Sequence, residues 1–153
     1  MAEGSRRRVM CTILSVDHTD MFYRVCTVCE RTLPNPSSTC HSSNPPSKRL
    51  FRILMSVATD TEVFTAVCFD RVARLLFGCS ADEFFNFAKL HPFSGITLNE
   101  IMEGEMFTMS LSKSKNANAQ HVRIASAVPL SSSFEPAINV LKQCYQTPHA
   151  SQS

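Results

Sequence analysis

KRLFRILMSVATDTEVFTAVCFD, residues 48–70, decides the architecture. Phe51, Ile53, Met55 and Val57 recur at every second position, with Arg52 and Ser56 between them. That is the period of a strand with one face in a core. Ala58 to Glu62 supplies a polar turn, after which Val63, Thr65, Val67 and Phe69 alternate with Phe64, Ala66 and Cys68. Two long alternating arms on a short turn read as an antiparallel hairpin. Both rows of the second arm are apolar. The bulkier one, from Val63 to Phe69, is expected to meet the core, which leaves Phe64 outward beside small Ala66 and Cys68.

Toward the N-terminus lies VMCTILSV, residues 9–16, an apolar β-branched run that follows Arg6-Arg7-Arg8 and reads as a first strand. Asp17 to Asp20 forms a turn, and Met21 to Val25 resumes an extended segment. That segment leads into Cys26-x-x-Cys29, a polar stretch through Pro34 and Pro36, and Cys40-His41, before Pro45-Pro46 marks the exit. Cysteines so spaced outline a small two-knuckle metal insert with one knuckle complete.

Toward the C-terminus, Asp70 is placed to cap a short helix that Gly78 stops. Ser80-x-x-Glu83 is a capping box for a second helix that His91-Pro92 ends, and Thr97-x-x-Glu100 repeats the signature before Gly104. Met106 to Ser112 and His121 to Val128 read as two further strands, joined by the polar loop KSKNANAQ. Phe134 to Tyr145 is amphipathic, with Phe134, Ile138, Leu141 and Tyr145 on one stripe. Five main strands with short helices between the third and fourth predict a mainly β chain of the OB-fold barrel kind. The expected domain runs over 7–146, with an insert at 26–44, a C-terminal helix at 134–145, and flexible tails at 1–6 and 147–153.

Composition narrows the function. The 153 residues suffice for one core, and a net charge of +2 does not by itself announce a nucleic-acid binder. The seven cysteines are odd in number, and Cys11 and Cys68 sit in apolar runs. With no apolar segment behind the basic start and no run of membrane-spanning length, the expectation is a reducing compartment and no membrane partner. There Cys-x-x-Cys favours metal or redox chemistry. The redox form belongs between a strand and a helix N-terminus, whereas this one is flanked by extended residues and a Pro/Ser loop. No phosphate-binding glycine loop or histidine-centred triad can be assembled, so an enzyme is not expected.

Tyr23 to Cys29, the return at Cys40, KRLFRILMSV and EVFTAVCFDRVARLLFG together resemble the C-terminal OB domain of the replication protein A large subunit, a single-stranded DNA-binding factor. The resemblance spans roughly Arg7 to Tyr145. It implies a zinc ribbon in the insert, held by Cys26, Cys29 and Cys40. The fourth family position falls on Ser43, a poor zinc ligand, and His41 adjoins Cys40. Three completions stay open: His41 as fourth ligand on a distorted backbone, water, or no metal.

The resemblance further implies single-stranded DNA as ligand, with Phe64 at the position of a base-stacking platform. Arg52 and Arg123 on outer strand positions, Lys48 and Arg49 at the re-entry from the insert, and Lys113 and Lys115 in the last loop would form a phosphate track with Arg6 to Arg8. Phe22 and Tyr23 are further stacking candidates, one of which is expected to go to the core. The stripe Phe134, Ile138, Leu141 and Tyr145 would either join helices of other replication protein A-like subunits or pack on this chain's own barrel. The implied role is a single-stranded DNA-binding module in replication, repair or the DNA damage response, in the nucleus, with the cytoplasm as second compartment. The competing reading is a protein-interaction scaffold that keeps the fold without the nucleic-acid contact.

Overall fold

The computed structural model describes residues 6–28, 32–33, 47–113 and 121–146. Seven strands and four helices follow in the order β1 (Arg6–Val16), β2 (Phe22–Cys26), β3 (Thr32–Leu33), β4 (Ser47–Ala58), β5 (Val63–Phe69), α1 (Asp70–Phe77), α2 (Ala81–Leu90), α3 (Ser94–Met102), β6 (Met106–Ser112), β7 (Val122–Pro129) and α4 (Ala137–Cys144). β1 already begins at Arg6, inside the stretch expected to be tail, because Arg6 pairs with Ser112.

The strand order is β1-β6-β7-β5-β4-β2-β3, and a further β1–β4 pairing closes β1, β6, β7, β5 and β4 into a ring. Every ring pairing is antiparallel except β5 with β7, whose parallel step aligns Ala66 with Val122. β2 and β3 lie outside the ring. β2 pairs with the first half of β4, from Phe22 opposite Phe51 to Cys26 opposite Ser47. β2 and β3 thus extend the sheet beyond the ring, and most of the insert expected at 26–44 lies outside the described residues.

The β4–β5 hairpin turns where the sequence indicated, with Ala58 opposite Val63. Its second arm faces the other way. Val57 stands opposite Phe64, Met55 opposite Ala66 and Ile53 opposite Cys68. Directly opposed residues share a face of the sheet, so the row Phe64, Ala66, Cys68 points inward with the row Phe51 to Val57. Ala66 and Cys68 are fully buried in the core, Phe64 packs against its rim, and Phe69 takes no part in it. The expectation that Phe64 faces outward is corrected.

The core is aromatic at its helical end. Phe51 meets Phe77 edge-on at 5.2 Å, and Phe84 lies 6.3 Å from Phe51 and 6.0 Å from Phe77. Such pairs add about 0.5–1.5 kcal/mol each beyond the area they bury. α1 ends at Gly78 with φ 77°, a left-handed residue that bonds back to the Arg74 carbonyl. A Cβ there would lie 2.5 Å from the Pro136 side chain, so this glycine also sets how closely α4 approaches.

Ser80 and Glu83 form the expected capping box. The other two start signals resolve differently. Asp70 is the first helical residue, not the cap, and its carboxylate accepts the Phe51 backbone N–H at 3.0 Å, fastening α1 to β4. Thr97 lies inside α3, where its hydroxyl donates to the Phe93 carbonyl and shares a 2.9 Å hydrogen bond with the Tyr145 hydroxyl.

α4 is shorter than the amphipathic stretch, since Phe134 lies before it. Ile138 and Leu141 are buried in the chain's own core, Phe134 packs edge-on to Phe107 at 5.4 Å, and Tyr145 rests 4.6 Å from His91. Of the two fates left open for this stripe, the structure takes the internal one. Among the described residues no helix is long and apolar enough to cross a membrane.

Candidate nucleic-acid interface

Alternation along β4 puts Phe51, Ile53 and Met55 in the core and turns Lys48, Leu50, Arg52, Leu54 and Ser56 outward. On β5 the outward row is Val63, Thr65, Val67 and Phe69. Exposed Arg52 stands directly opposite half-buried Phe69. From the neighbouring strand, exposed Arg123 lays its guanidinium over the Phe69 ring, 4.8 Å from the centroid. Two arginines therefore flank one partly open aromatic face. Arg71 adds a third cation nearby, its guanidinium donating to the Ala125 carbonyl at 2.7 Å.

The insert stem extends this face. Tyr23 is opposite Leu50, and Lys48 is opposite Val25. Phe22, on the other side of β2, stacks with Phe51 at 5.7 Å and meets Phe85 edge-on at 5.8 Å. One of the two neighbouring aromatics is thus consumed by the core and the other is not.

Arg49 belongs to that inner side too. It is ion-paired to Asp82 at 3.0 Å, and its guanidinium lies 3.5 Å from the Phe85 ring centroid. The structure does not bring it into line with Lys48 and Arg52.

Past Arg52 and Phe69 the face becomes a shallow hollow of about 300 Å³ lined by Asp17, Leu54, Ser56, Thr65 and His121. The Asp17 carboxylate accepts from the Thr19 hydroxyl at 2.6 Å and from the Thr19 backbone N–H at 3.0 Å, and these two bonds hold its carboxyl below the ordinary range, so it is charged at neutral pH. At Thr65 and His121 the hollow adjoins a larger one of about 640 Å³, at the end of the ring away from the helices. Arg7, Glu62, Phe64 and Lys113 line that space. Arg7 is bridged to Glu62 at 2.8 Å and lies 5.7 Å from the Phe64 ring centroid. Phe64 and Lys113 are therefore found together, at the far end of the face rather than on it.

Sequence reasoning named Arg52, Arg123, Lys48 and Lys113 but missed Phe69 and His121. Phe69 was discoverable by counting partners across the turn, because a residue opposite outward Arg52 must also be outward. Lys115 lies outside the described residues, as do Cys29, Cys40, His41 and Ser43 of the metal insert.

The one described ligand candidate is Cys26. Its side chain is buried, and its sulfur accepts the Val28 backbone N–H at 3.4 Å. A cysteine sulfur is a firm zinc ligand type, and Cys26 stands at the end of β2, where the expected insert begins. Among the described residues no group of three or more such side chains is placed to hold an ion.

No family model matches this sequence. No curated protein matches it either. Solved structures do. A replication protein A heterotrimer bound to ssDNA superposes with a TM-score of 0.70 at 16% identity, over 86% of this chain and 33% of the other. Yeast RPA bound to ssDNA gives a TM-score of 0.66 at 15% identity, over 92% of this chain and 85% of the other. The chain spans about a third of the first neighbour's length, and what it shares with both is the fold: a mainly β, five-stranded ring with accompanying helices, similar to those of replication protein A.

Proposed function

We propose that this chain is a non-catalytic single-stranded DNA-binding module built as an OB-fold barrel. The observation that carries the reading is the outer face of β4 and β5, where Phe69 lies between Arg52 and Arg123 and the line continues through Tyr23 and Lys48. Nonspecific single-strand binders combine stacking platforms with a cationic track, and OB folds use the face of these two strands together with the loops at its ends. Bases stack on Phe69 and Tyr23, and phosphates run along Lys48, Arg52 and Arg123 toward His121 and Lys113, with Lys115 as a further cation of the track. The likeness to replication protein A structures that carry ssDNA supports the ligand class.

The finer reading rests on the sequence. The basic start and HVRIASAVPLSSSFEPAINVLKQCYQ resemble the N-terminal domain of DNA damage-induced apoptosis suppressor protein, which fits a nuclear role in replication, repair or the damage response. Cys26, Cys29, Cys40 and His41 are the proposed zinc ligands, and the ion would cross-link the insert that extends one end of the face. Assembly with other replication protein A-like subunits would use surfaces other than the Ile138–Leu141 stripe, which is already buried.

The test is a fluorescence anisotropy titration with labelled oligo-dT over a range of salt. Micromolar or tighter binding that weakens with salt supports the module; no binding at low salt leaves the scaffold reading in its place. Plasma emission spectroscopy on protein purified without added zinc, beside Cys26→Ser, tests the metal: a stoichiometric signal in the parent that drops in the variant is expected.

A further inference from the structure

The outer face of β1 and β6 with the end of β7 carries a different kind of surface. On β1 the outward row is Arg6, Arg8, Met10 and Thr12, and these stand opposite Ser112, Ser110, Thr108 and Met106 of β6. Thr108 in turn stands opposite Val128 of β7, and the Leu130 backbone N–H donates to the Met106 carbonyl. One contiguous face therefore presents Met10, Met106, Val128 and Leu130, which are 59%, 44%, 53% and 46% exposed. Single exposed apolar residues are ordinary, whereas four of them adjoining across three strands mark an interaction surface.

The face also has a hollow and a charge. Where β1 runs past the end of β4, a depression of about 460 Å³ opens beside Met10 and Met106, with Val9, Thr12, Ala58, Thr59 and Asp60 in its wall. Arg6 and Arg8 occupy the outer end of the same row and are exposed. Arg7, between them, turns to the other side of the strand, to its exposed ion pair with Glu62. No ion pair of Arg6 or Arg8 is found among the described residues.

We infer that this face docks an amphipathic helix of a partner protein, with its apolar stripe on Met10, Met106 and Val128 and its acidic residues on Arg6 and Arg8. The width selects a helix. Strands lie about 4.8 Å apart, so Met10 and Val128, separated by Thr108, are about 10 Å from one another. A helix, about 10–12 Å across with its side chains, covers that span, and a single added strand does not. The charge selects the sign, because Arg6 and Arg8, without an ion pair among the described residues, outnumber the single Asp60 carboxylate at the hollow and so favour an acidic ligand over a basic one.

The probe is a fluorescein-labelled amphipathic helical peptide with Leu and Phe on one stripe and Glu on the other, compared with the same peptide carrying Lys in place of Glu. The acidic peptide should bind with micromolar affinity, as a small interface allows, and the lysine peptide at least about tenfold more weakly. Paired substitutions Met10→Gln and Val128→Thr, which keep exposed strand positions, should cost at least about tenfold in peptide affinity and leave an oligo-dT titration unchanged. Arg6→Glu with Arg8→Glu should abolish the preference for the acidic peptide. The inference fails if neither peptide binds, if the two bind equally, or if the Met10/Val128 variant binds like the parent. It also fails if sedimentation shows a dimer that this variant dissolves, which would assign the face to a second copy of the chain.

Discussion

Replacing Phe69 by alanine is the perturbation that separates the two candidate platforms. Phe69 lies outside the core, half-buried, with one ring face under the Arg123 guanidinium at 4.8 Å. Stacking of one base is worth about 1–3 kcal/mol, so Phe69→Ala should weaken oligo-dT binding by about 5- to 150-fold. Loss of the arginine's seat would add to this effect, since a cation over an aromatic face contributes about 0.5–1 kcal/mol at exposed sites. Thermal stability should fall less than for Phe64→Ala, because Phe69 is not packed against the core cluster.

Phe64→Ala should behave in the opposite way. Its ring packs on the core rim beneath Arg7. Full truncation of a buried phenylalanine costs about 3–5 kcal/mol, and a half-buried one about 2 kcal/mol. For a domain of this size that is a fall of about 4–8 °C in Tm, with affinity near that of the parent while the protein stays folded. The assay pairs anisotropy at one fixed low salt with a thermal melt for each variant. A Phe69→Ala protein that binds like the parent, beside a Phe64→Ala protein that is stable and does not bind, would refute the assignment of the outer face.

Other consequences are as specific. Arg52→Ala and Arg123→Ala should each reduce the slope of log affinity against log salt by about 0.7, the value for one phosphate contact on a single strand. Asp17→Asn should raise oligo-dT affinity about twofold at low salt and not at high salt, because the charged carboxylate borders the proposed path of the phosphates. Burial, and next the nearby Glu83 carboxylate, push the Cys79 thiol from its ordinary 9.0 up to about 11. Its alkylation in the folded protein should therefore accelerate only as pH nears about 11. The unfolded thiol ionises at the lower value, so this group lowers stability as pH rises above about 9, readable in denaturant midpoints of the parent and Cys79→Ala. Gly78→Ala should lower Tm by at least about 4 °C, since the left-handed conformation costs about 1–2 kcal/mol and the new methyl would meet Pro136.

How much of this was legible beforehand follows from which forces are local. The hairpin, the capping box at Ser80 and the glycine stop of α1 are written in neighbouring residues, and they form where the sequence places them. The facing of β5 is not local, because both of its rows are apolar; only the partners across the turn decide that Phe64 goes in and Phe69 out. Arg49 looked like its neighbour Lys48 until Asp82 and Phe85, from a helix beyond the hairpin, claimed it. The α4 stripe reads the same whether its apolar face meets a partner or its own core, so Ile138 and Leu141 could be assigned only from the folded chain. Thr97 repeats a capping signature and is used instead by Tyr145, a contact no window of sequence contains.

The parallel step between β5 and β7 has a consequence for how the molecule is made. The β1–β4, β4–β5 and β1–β6 pairings are all available once β6 has been synthesised, but β5 and β6 each wait for residues 122–129 to fill the gap between them. A nascent chain that has not yet reached β7 therefore holds two open strand edges, one of them the strand that carries Phe69. Open edges are templates for pairing with other chains, and pairings between distant segments are slow to form. The strand that completes the ring is thus also the one that protects the half-made domain from aggregation, and a chain cut short before Val122 would lack that protection.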